Sequence, residues 1–425
     1  MTYAQYMKDG LKFWNGYRAD GLDFVRSHVE ELTRLALRPE TRLPFAVEGM
    51  RALGPITLPF YGESLSLLAP RELEVLAGEA VTLLRRTERG SRGAAAAVIA
   101  HASLQVPSVL TPHLPELFQL LPNEAAYYGE WPWRGADSSE VARLGTVARK
   151  AEEPPWHLCG FLVGARSDEA LALAQRLFAP IDSPRLDRVL RQVGRELVDH
   201  RIRPLTSEAV FHVVFDDDYL RVDYSDPEHV WTHPTLLAEG LPAERSPFGG
   251  VLAERCGRCA TPLARLLELS AILPELGVHS RSQVQFATCL WCQGSAEAPL
   301  YFSHDESGTP ASLPEVRVSQ PSTRHLRLNE TVARVQRTRQ RWRFQDWGLS
   351  THRQNLHRVG GEPTFIGQYV YPRCPRCSGR MPFLLQFDSW LPLEGDAFLH
   401  WGGEGLAYLF WCDPCATSAT FVESP

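Results

Sequence analysis

Four Cys-x-x-Cys pairs constrain this chain more than any other feature of its sequence. In each pair the two-residue spacer lets both sulfur atoms reach one metal, and the turn aims backbone N–H groups at the sulfurs. Two such pairs, a few dozen residues apart, supply the ligands of a closed tetrahedral zinc site. The sequence therefore predicts two zinc ions, one bound by Cys256, Cys259, Cys289 and Cys292 and one by Cys374, Cys377, Cys412 and Cys415.

The composition is that of an ordinary globular protein. The 425 residues allow two or three domains, with 44% hydrophobic and 22% charged residues. No apolar run approaches the length of a membrane span, and the sequence after Met1 is not a secretory signal, so we expect a cytoplasmic protein. In that reducing compartment, paired cysteines are metal ligands rather than disulfides. The net charge of -6 provides no overall attraction to nucleic acid.

The N-terminal half has the apolar period of α-helices. We predict an α-helical domain over 1–205, arranged as a bundle or a HEAT-like stack. Ser183 is the predicted N-cap of its last helix, with Pro184 in the first turn. The remaining cysteine, Cys159, lies in an apolar stretch and is predicted to be a buried core residue. The predicted helices cover 23–37, 71–84, 92–103, 139–149, 168–178 and 184–200.

From Pro204 onward, strand patterns, aromatic residues and loops replace the helical period. A hairpin is predicted from strands at 210–215 and 219–222, joined by an acidic turn. The two cysteine-rich stretches repeat at an offset of 118 residues, which relates Cys256 to Cys374 and Glu268 to Gln386. We therefore predict an α+β multidomain chain with two copies of one zinc-ribbon β unit, over 208–315 and 345–425, joined by an arginine-rich connector over 316–344.

The segment from Arg324 to Arg358 is strongly basic. It holds nine arginines against two acidic residues, a local charge of +7. Val332, Val335, Arg339 and Trp342 lie close to helical spacing. Two interpretations are open: the segment binds RNA through phosphate contacts and stacking, or its tryptophans pack on the fold and its arginines pair with acidic residues. The candidate RNA or partner contacts are Arg334, Arg337, Arg341, Arg343 and Trp342.

Motifs for common enzyme chemistries are absent from the sequence. It has no Gly-x-Ser-x-Gly elbow, no phosphate-binding loop, no Gly-x-Gly-x-x-Gly and no His-Glu-x-x-His. A zinc ion with four thiolate ligands has no open position for water. Asp216, Asp217, Asp218 and His233 are predicted to belong to solvated turns. We therefore expect a protein that is not an enzyme.

The C-terminal part resembles a known family. The resemblance is carried by Gly360-Gly-Glu-Pro363, the Cys374-Pro-Arg-Cys377 pair, Met381-Pro-Phe-Leu-Leu-Gln386 and Leu406-Ala-Tyr-Leu-Phe-Trp-Cys412. These stretches resemble the bacterial YwqG-like proteins of unassigned function, related to the C-terminal part of eukaryotic programmed cell death protein 2. The resemblance implies a β-rich zinc-ribbon fold and a chaperone-like or toxin-immunity-like role in protein binding. Because Glu268 stands where the family has its strand glutamine, the first copy is predicted to keep the metal and lose a contact surface.

These observations lead to one function and one alternative. We expect a zinc-stabilised protein that binds another protein, of unknown identity, without catalysing a reaction. The alternative is an RNA-binding or ribosome-associated factor that uses the segment from Arg324 to Arg358.

Overall fold

The chain forms a helical unit followed by a β-rich unit, as the sequence predicts. The computed structural model describes residues 39–52, 65, 68–85, 92–120, 129–215, 243–293, 298–313, 326–339, 342–347, 355–367, 370–395 and 397–425. The helical unit contains the described residues up to Val193 and Leu197–Ile202, and the β-rich unit contains Gly194–Glu196 and the described residues from Arg203 onward. The predicted helix at 23–37, the strand at 219–222, residues 216–218, His233 and Arg341 lie outside the described residues.

The helices of the first unit pack around their own apolar core. Predictions at 71–84, 92–103, 139–149 and 168–178 are confirmed. Cys159 is fully buried, as predicted for a core residue, and burial raises the pKa of its thiol to about 12. The helices are α1 (Pro39–Ala52), α2 (Pro70–Arg85), α3 (Arg92–Gln105), α4 (Leu114–Leu120), α5 (Ser138–Lys150), α6 (Trp156–Ala165) and α7 (Asp168–Gln192), with 3-10 turns at Pro107–His113 and Trp131–Gly135.

The predicted helix at 184–200 is wrong at both ends. The chain leaves helical geometry at Asp182, whose carboxylate accepts a hydrogen bond from the Arg185 N–H at 2.8 Å. Asp182 is therefore the N-terminal cap, instead of Ser183. After α7 the chain forms a hairpin of β1 (Arg195–Val198) and β2 (Arg201–Pro204). Its turn residues, Asp199 and His200, both adopt the positive φ that a two-residue hairpin loop of this kind requires.

One large antiparallel sheet dominates the β-rich unit. The strands of this unit are β3 (Val210–Val214), β4 (Ala243–Phe248), β5 (Val251–Arg255), β6 (Pro262–Leu269), β7 (Val284–Thr288), β8 (Leu300–His304), β9 (Pro310–Ser312), β10 (Thr331–Arg337), β11 (Arg358–Gly360), β12 (Phe383–Asp388), β13 (Leu391–Leu393), β14 (Ala397–Leu399), β15 (Leu406–Cys412) and β16 (Thr417–Glu423); the short helix α8 (Leu290–Gln293) follows β7. Among the described residues, nine strands form the large sheet, in the order β4-β10-β3-β11-β12-β15-β16-β8-β9. A three-stranded sheet of β5-β6-β7 and a β13-β14 hairpin complete the unit.

The predicted segments of the C-terminal half share this large sheet. Strands β3, β4, β8 and β9 come from 208–315, β10 comes from the predicted connector at 316–344, and β11, β12, β15 and β16 come from 345–425. The first four-cysteine stretch adds the three-stranded sheet. These ranges are therefore interleaved parts of one compact unit.

The helical spacing of the arginine-rich segment is misleading. Residues Thr331–Arg337 form β10, which pairs with β3 on one side and β4 on the other. Ala333 and Val335 are buried, whereas Val332 before them is 41% exposed and Arg334 between them is half-buried, so the side chains from Val332 to Val335 alternate with the period of a strand. The three-residue interval from Val332 to Val335 fits a helix only by coincidence.

The double glycine of the family-like stretch has a steric cause. Gly360 and Gly361, at the end of β11, both have positive φ, of 72° and 66°. A Cβ on Gly360 would collide with the Ala209 carbonyl oxygen. Glycine at this position lets β11 pass closely over the residue that precedes β3.

Candidate metal centres

The predicted ligands come together as two clusters of four cysteines. The first cluster is Cys256, Cys259, Cys289 and Cys292, and the second is Cys374, Cys377, Cys412 and Cys415; within each, all four sulfurs lie within 4.8 Å of one another. Contacts between sulfurs measure 3.8 Å and 3.5 Å in the first cluster and 3.6 Å in the second. A tetrahedral zinc ion with Zn–S bonds of about 2.3 Å separates its sulfurs by about 3.8 Å. The clusters therefore fit a metal ion of this kind.

Backbone N–H groups support the first cysteine of each cluster. The amides of Arg258 and Cys259 donate hydrogen bonds to the Cys256 sulfur. The same bonds recur 118 residues later, at Cys374, whose pKa they lower although burial opposes ionisation. Four thiolates at these distances repel one another strongly, so full ionisation of a cluster requires a cation at its centre.

The turn that carries the first Cys-x-x-Cys pair of each cluster repeats bond for bond. In the first cluster, the Ala260 N–H donates to the Cys256 carbonyl at 2.8 Å, and the Cys256 N–H donates to the Thr261 carbonyl at 2.9 Å. The residues 118 positions later repeat both bonds, each at 2.8 Å. Ala260 and its counterpart Ser378 both have positive φ, of 59° and 61°.

The two clusters differ in their exposure. All four cysteines of the first are buried, whereas Cys377 is exposed and Cys415 is half-buried in the second. The Thr261 hydroxyl lies 3.2 Å from the Cys259 sulfur and covers it. The counterpart of Thr261 is Gly379, which has no side chain to cover Cys377.

A carboxylate links the second cluster to the loop that follows the 3-10 turn Leu273–Leu276. Oδ1 of Asp413, inside the last Cys-x-x-Cys pair, accepts hydrogen bonds from the N–H groups of His279 and Ser280, each at 2.9 Å. It also accepts one from the indole of Trp411 at 3.1 Å. Burial opposes ionisation of Asp413, but these donors lower its pKa. These hydrogen bonds therefore hold the Cys-x-x-Cys turn at 412–415 against the first cysteine-rich stretch. Each Cys-x-x-Cys turn is called a knuckle below.

A groove of about 660 Å³ runs beside the second cluster, and Cys377 and Cys412 lie in its lining. Its apolar lining includes Pro204, Pro274, Leu276, Phe383, Trp411 and Pro414. Charges of both signs complete it, from Arg195, Glu208, Glu275, Arg380 and Asp413. Because the charges balance closely, the groove has no strong field for a polyanion.

The strand glutamine of the family-like stretch lies in the core. Gln386 is fully buried; its Oε1 accepts from the Thr364 N–H at 2.9 Å and from Arg358 at 3.3 Å. Its side-chain amide donates to the Leu356 carbonyl at 2.9 Å. Glu268, its counterpart, accepts instead from a nearby glutamine on the surface of the three-stranded sheet. Gln386 therefore belongs to a buried network and provides no contact surface. The loss of a contact surface around Glu268 stays a prediction.

Arg358 is the centre of that network, and sequence reasoning missed it. The side chain is fully buried and reaches Oε1 of Gln345 at 2.9 Å, with further bonds to Thr364 and the Glu362 carbonyl. Gln345 Oε1 also lies 3.0 Å from Nε2 of the buried His212. Burial lowers the pKa of Arg358 to about 9, which still leaves it charged at neutral pH. The buried position of Arg358 could not be recognised from the sequence, because Arg358 is the last of the nine arginines in the segment from Arg324 to Arg358.

The other arginines singled out by the sequence are held by neighbours. Arg337 pairs with Glu275, and its guanidinium lies 4.8 Å above the Phe211 ring. Arg343 pairs with Glu208 and contacts Glu362. The structure buries Trp342 and places Arg334 in β10, between two strands. Among the described candidates, then, the arginines do not form one free basic face.

Comparisons with known proteins give one distant relative. The chain is 26% identical over 200 residues to the uncharacterized protein YpfL of Salmonella typhimurium strain LT2, a match that covers 45% of each protein. No family model matches the sequence, and no solved structure matches it. Among the described helices, none combines the length and apolar character needed to cross a membrane.

Proposed function

We propose that this chain is a non-enzymatic, zinc-stabilised protein that binds another protein. The observation that carries the proposal is the closed ligand set of both clusters. Zinc with four thiolates has no vacant position at which to activate water, so the ion acts through folding. Its apparent binding free energy of about 10–16 kcal/mol is comparable with the whole stability of a domain. None of the nine cysteines forms a disulfide, which supports a cytoplasmic location.

We also propose that the two cysteine-rich stretches descend from one zinc-bearing unit. Leu267 pairs with Phe286 across β6 and β7, and Leu385, 118 residues after Leu267, pairs with Leu409 across β12 and β15. Phe286 and Leu409 each stand three residues before the first cysteine of the following Cys-x-x-Cys pair. An irregularity interrupts each ladder immediately before these pairs. Together with the repeated turn bonds, this shared register supports duplication of a strand-loop-strand unit with a knuckle at each end.

The groove beside the second cluster is the proposed site of the partner. Its occupant would be an extended protein segment with apolar side chains, because exposed Pro204, Pro274 and Pro414 offer rigid apolar surfaces. Arg195 and Glu208, of opposite charge, complement a mixed polypeptide better than a polyanion. A chaperone-like or toxin-immunity-like role uses binding of this kind.

The first experiment determines the metal content and partner of the purified chain. Mass spectrometry under native conditions should find two zinc ions per chain. The chain with Pro204→Glu and Pro274→Glu should lose a partner captured by the unaltered chain, since two carboxylates then enter the apolar lining. Val251→Glu is the matched control, because Val251 is 42% exposed in the same unit and does not line the groove. Nuclease treatment should not release the partner.

The alternative, RNA binding through the segment from Arg324 to Arg358, has less support. Arg337 pairs with Glu275, and Arg343 pairs with Glu208 and contacts Glu362. Phosphate groups would have to displace these carboxylates, and the buried Trp342 is not accessible for stacking on a base. A bound RNA would release on nuclease treatment, and binding would weaken steeply with salt. The alternative would be favoured if nuclease or salt releases the bound partner and the chain with Pro204→Glu and Pro274→Glu still binds it.

A further inference from the structure

The second cluster differs from the first in the accessibility of its thiols. Cys377 is exposed, and Cys377 and Cys412 both line the groove of about 660 Å³. Their sulfur atoms lie 3.6 Å apart. A small solute in the groove therefore meets two neighbouring sulfurs of the same metal site.

The first cluster has a cover that the second lacks. The Thr261 hydroxyl lies 3.2 Å from the Cys259 sulfur, and the Ser312 hydroxyl accepts a hydrogen bond from the Gly257 N–H at 2.9 Å. In the second cluster, Gly379 replaces the threonine. A Cβ at Gly379 would lie 3.5 Å from the Cys377 sulfur, an ordinary contact, so a side chain fits there.

We propose that the second cluster is a thiol-oxidation site, at which a peroxide joins Cys377 to Cys412 and releases zinc. The proposal rests on the proposed zinc occupancy of this cluster and is independent of the protein partner. Exposed thiolates are the ones that oxidants reach, whereas buried thiolates are protected. The first cluster would keep its zinc and maintain its part of the fold.

The chemistry balances with peroxide as the only oxidant. The Cys377 thiolate attacks one peroxide oxygen, the O–O bond breaks, and the departing hydroxide takes up a proton to give water. The Cys412 thiolate then attacks the Cys377 sulfur, the S–O bond breaks, and the second hydroxide leaves as water after protonation. Two thiolates are oxidised to one disulfide and one peroxide is reduced to two waters. A zinc ion held by this cluster would then have only two thiolate ligands, which lowers its affinity and favours its release.

The test treats the full zinc-loaded chain with hydrogen peroxide. A chromogenic chelator follows zinc release, and mass spectrometry of non-reduced peptides locates the disulfide. We expect one zinc ion per chain to be released, with a Cys377–Cys412 disulfide, while the second ion stays bound. Gly379→Thr should slow that release about fivefold or more, because the new side chain covers Cys377. Thr261→Gly should speed release from the first cluster.

Several results would overturn the proposal. These are simultaneous release of both ions, a disulfide within the first cluster of the unaltered chain, equal release by the chelator without peroxide, or an unchanged rate in Gly379→Thr. Metal content measured before oxidation separates the two proposals. A second cluster without zinc overturns both the metal assignment and this inference, whereas two bound ions that leave together overturn only this inference.

Discussion

At the scale of single residues, the cysteine ligands have the largest expected effect on folding. Replacing Cys377 by serine leaves three thiolates in the second cluster and removes the closed ligand set. Because the metal holds both knuckles, we expect Cys377→Ser to unfold the C-terminal part of the β-rich unit. Circular dichroism and zinc analysis test this expectation. Arg376→Ala, exposed in the same knuckle, should retain two zinc ions; a well-folded Cys377→Ser chain with one zinc would contradict the prediction.

The network around Arg358 should respond to truncation of one partner. Arg358→Met removes the charged donor of this buried network. The side-chain oxygens of Gln345 and Gln386 each lose a hydrogen bond and keep one other contact, to His212 and to the Thr364 N–H. We expect the free energy of unfolding to fall by about 3–5 kcal/mol, since a buried charged network is broken from one side. Urea denaturation measures this change. Arg327→Met, in the same basic segment but exposed, should change stability by less than about 1 kcal/mol.

His304 gives the β-rich unit a pH dependence of known sign. Burial lowers its pKa from 6.5 to about 4, although its bond to the Gly308 carbonyl and nearby Asp305 raise it and Arg281 lowers it further. The unfolded chain therefore binds a proton that the folded chain excludes between these values. The contribution of neutral His304 to the free energy of unfolding is fully present above pH 6.5, and it falls by about 3 kcal/mol as the pH drops to 4.

The proposed zinc ions would also be lost in acid, because their thiolate ligands become protonated, so a comparison between variants is needed. The difference in unfolding free energy between the unaltered chain and His304→Gln should narrow as the pH falls from 6.5 to 4. Acid-induced loss of metal is common to both chains and cancels in this difference. A difference that is independent of pH would contradict the assignment.

At the scale of the elements, the knuckle of the second cluster depends on Asp413. Asp413→Ala removes the acceptor shared by His279, Ser280 and the Trp411 indole. We expect a loss of about 1–3 kcal/mol in the free energy of unfolding, because the indole N–H of buried Trp411 loses its acceptor and the two more exposed amides exchange theirs for water. Chemical denaturation provides the measurement. Asp413→Asn retains a carbonyl acceptor and should lose less; equal losses would show that the hydrogen bonds are not the cause.

The sequence predicts the metal ligands better than the sheet that carries them. Cys-x-x-Cys spacing is local, so the ligands of both clusters follow from the chain alone. Strand pairing depends on contacts between distant residues, and β10 therefore looked helical although β3 and β4 hold it as a strand. The difference in exposure between Cys259 and Cys377 also depends on three-dimensional packing. The residue beside each cysteine can nevertheless be read from the sequence at the 118-residue offset: it is Thr261 in the first cluster and Gly379 in the second.

At the scale of the whole molecule, the proposed zinc sites belong to only one of the two units. The core of the helical unit is built from its own side chains, from Ala46 to Val193, and contains neither four-cysteine cluster. In the β-rich unit, cluster cysteines are part of the packed cores: Cys374 and Cys412 lie with Tyr371 and Phe383 in one of them. On the proposed zinc binding, the metal contributes free energy of folding to the β-rich unit and not to the helical unit.

Removal of zinc should accordingly unfold one unit and spare the other. After treatment with a strong chelator, we expect the near-ultraviolet signal of the buried aromatic residues in the β-rich unit to disappear while helical circular dichroism at 222 nm is retained. Limited proteolysis should then leave a resistant fragment ending near Ile202, the last described residue of the helical unit. Addition of zinc under reducing conditions should restore the protection of the β-rich unit. Loss of both signals together would mean that the helical unit requires the metal-bound unit in order to fold.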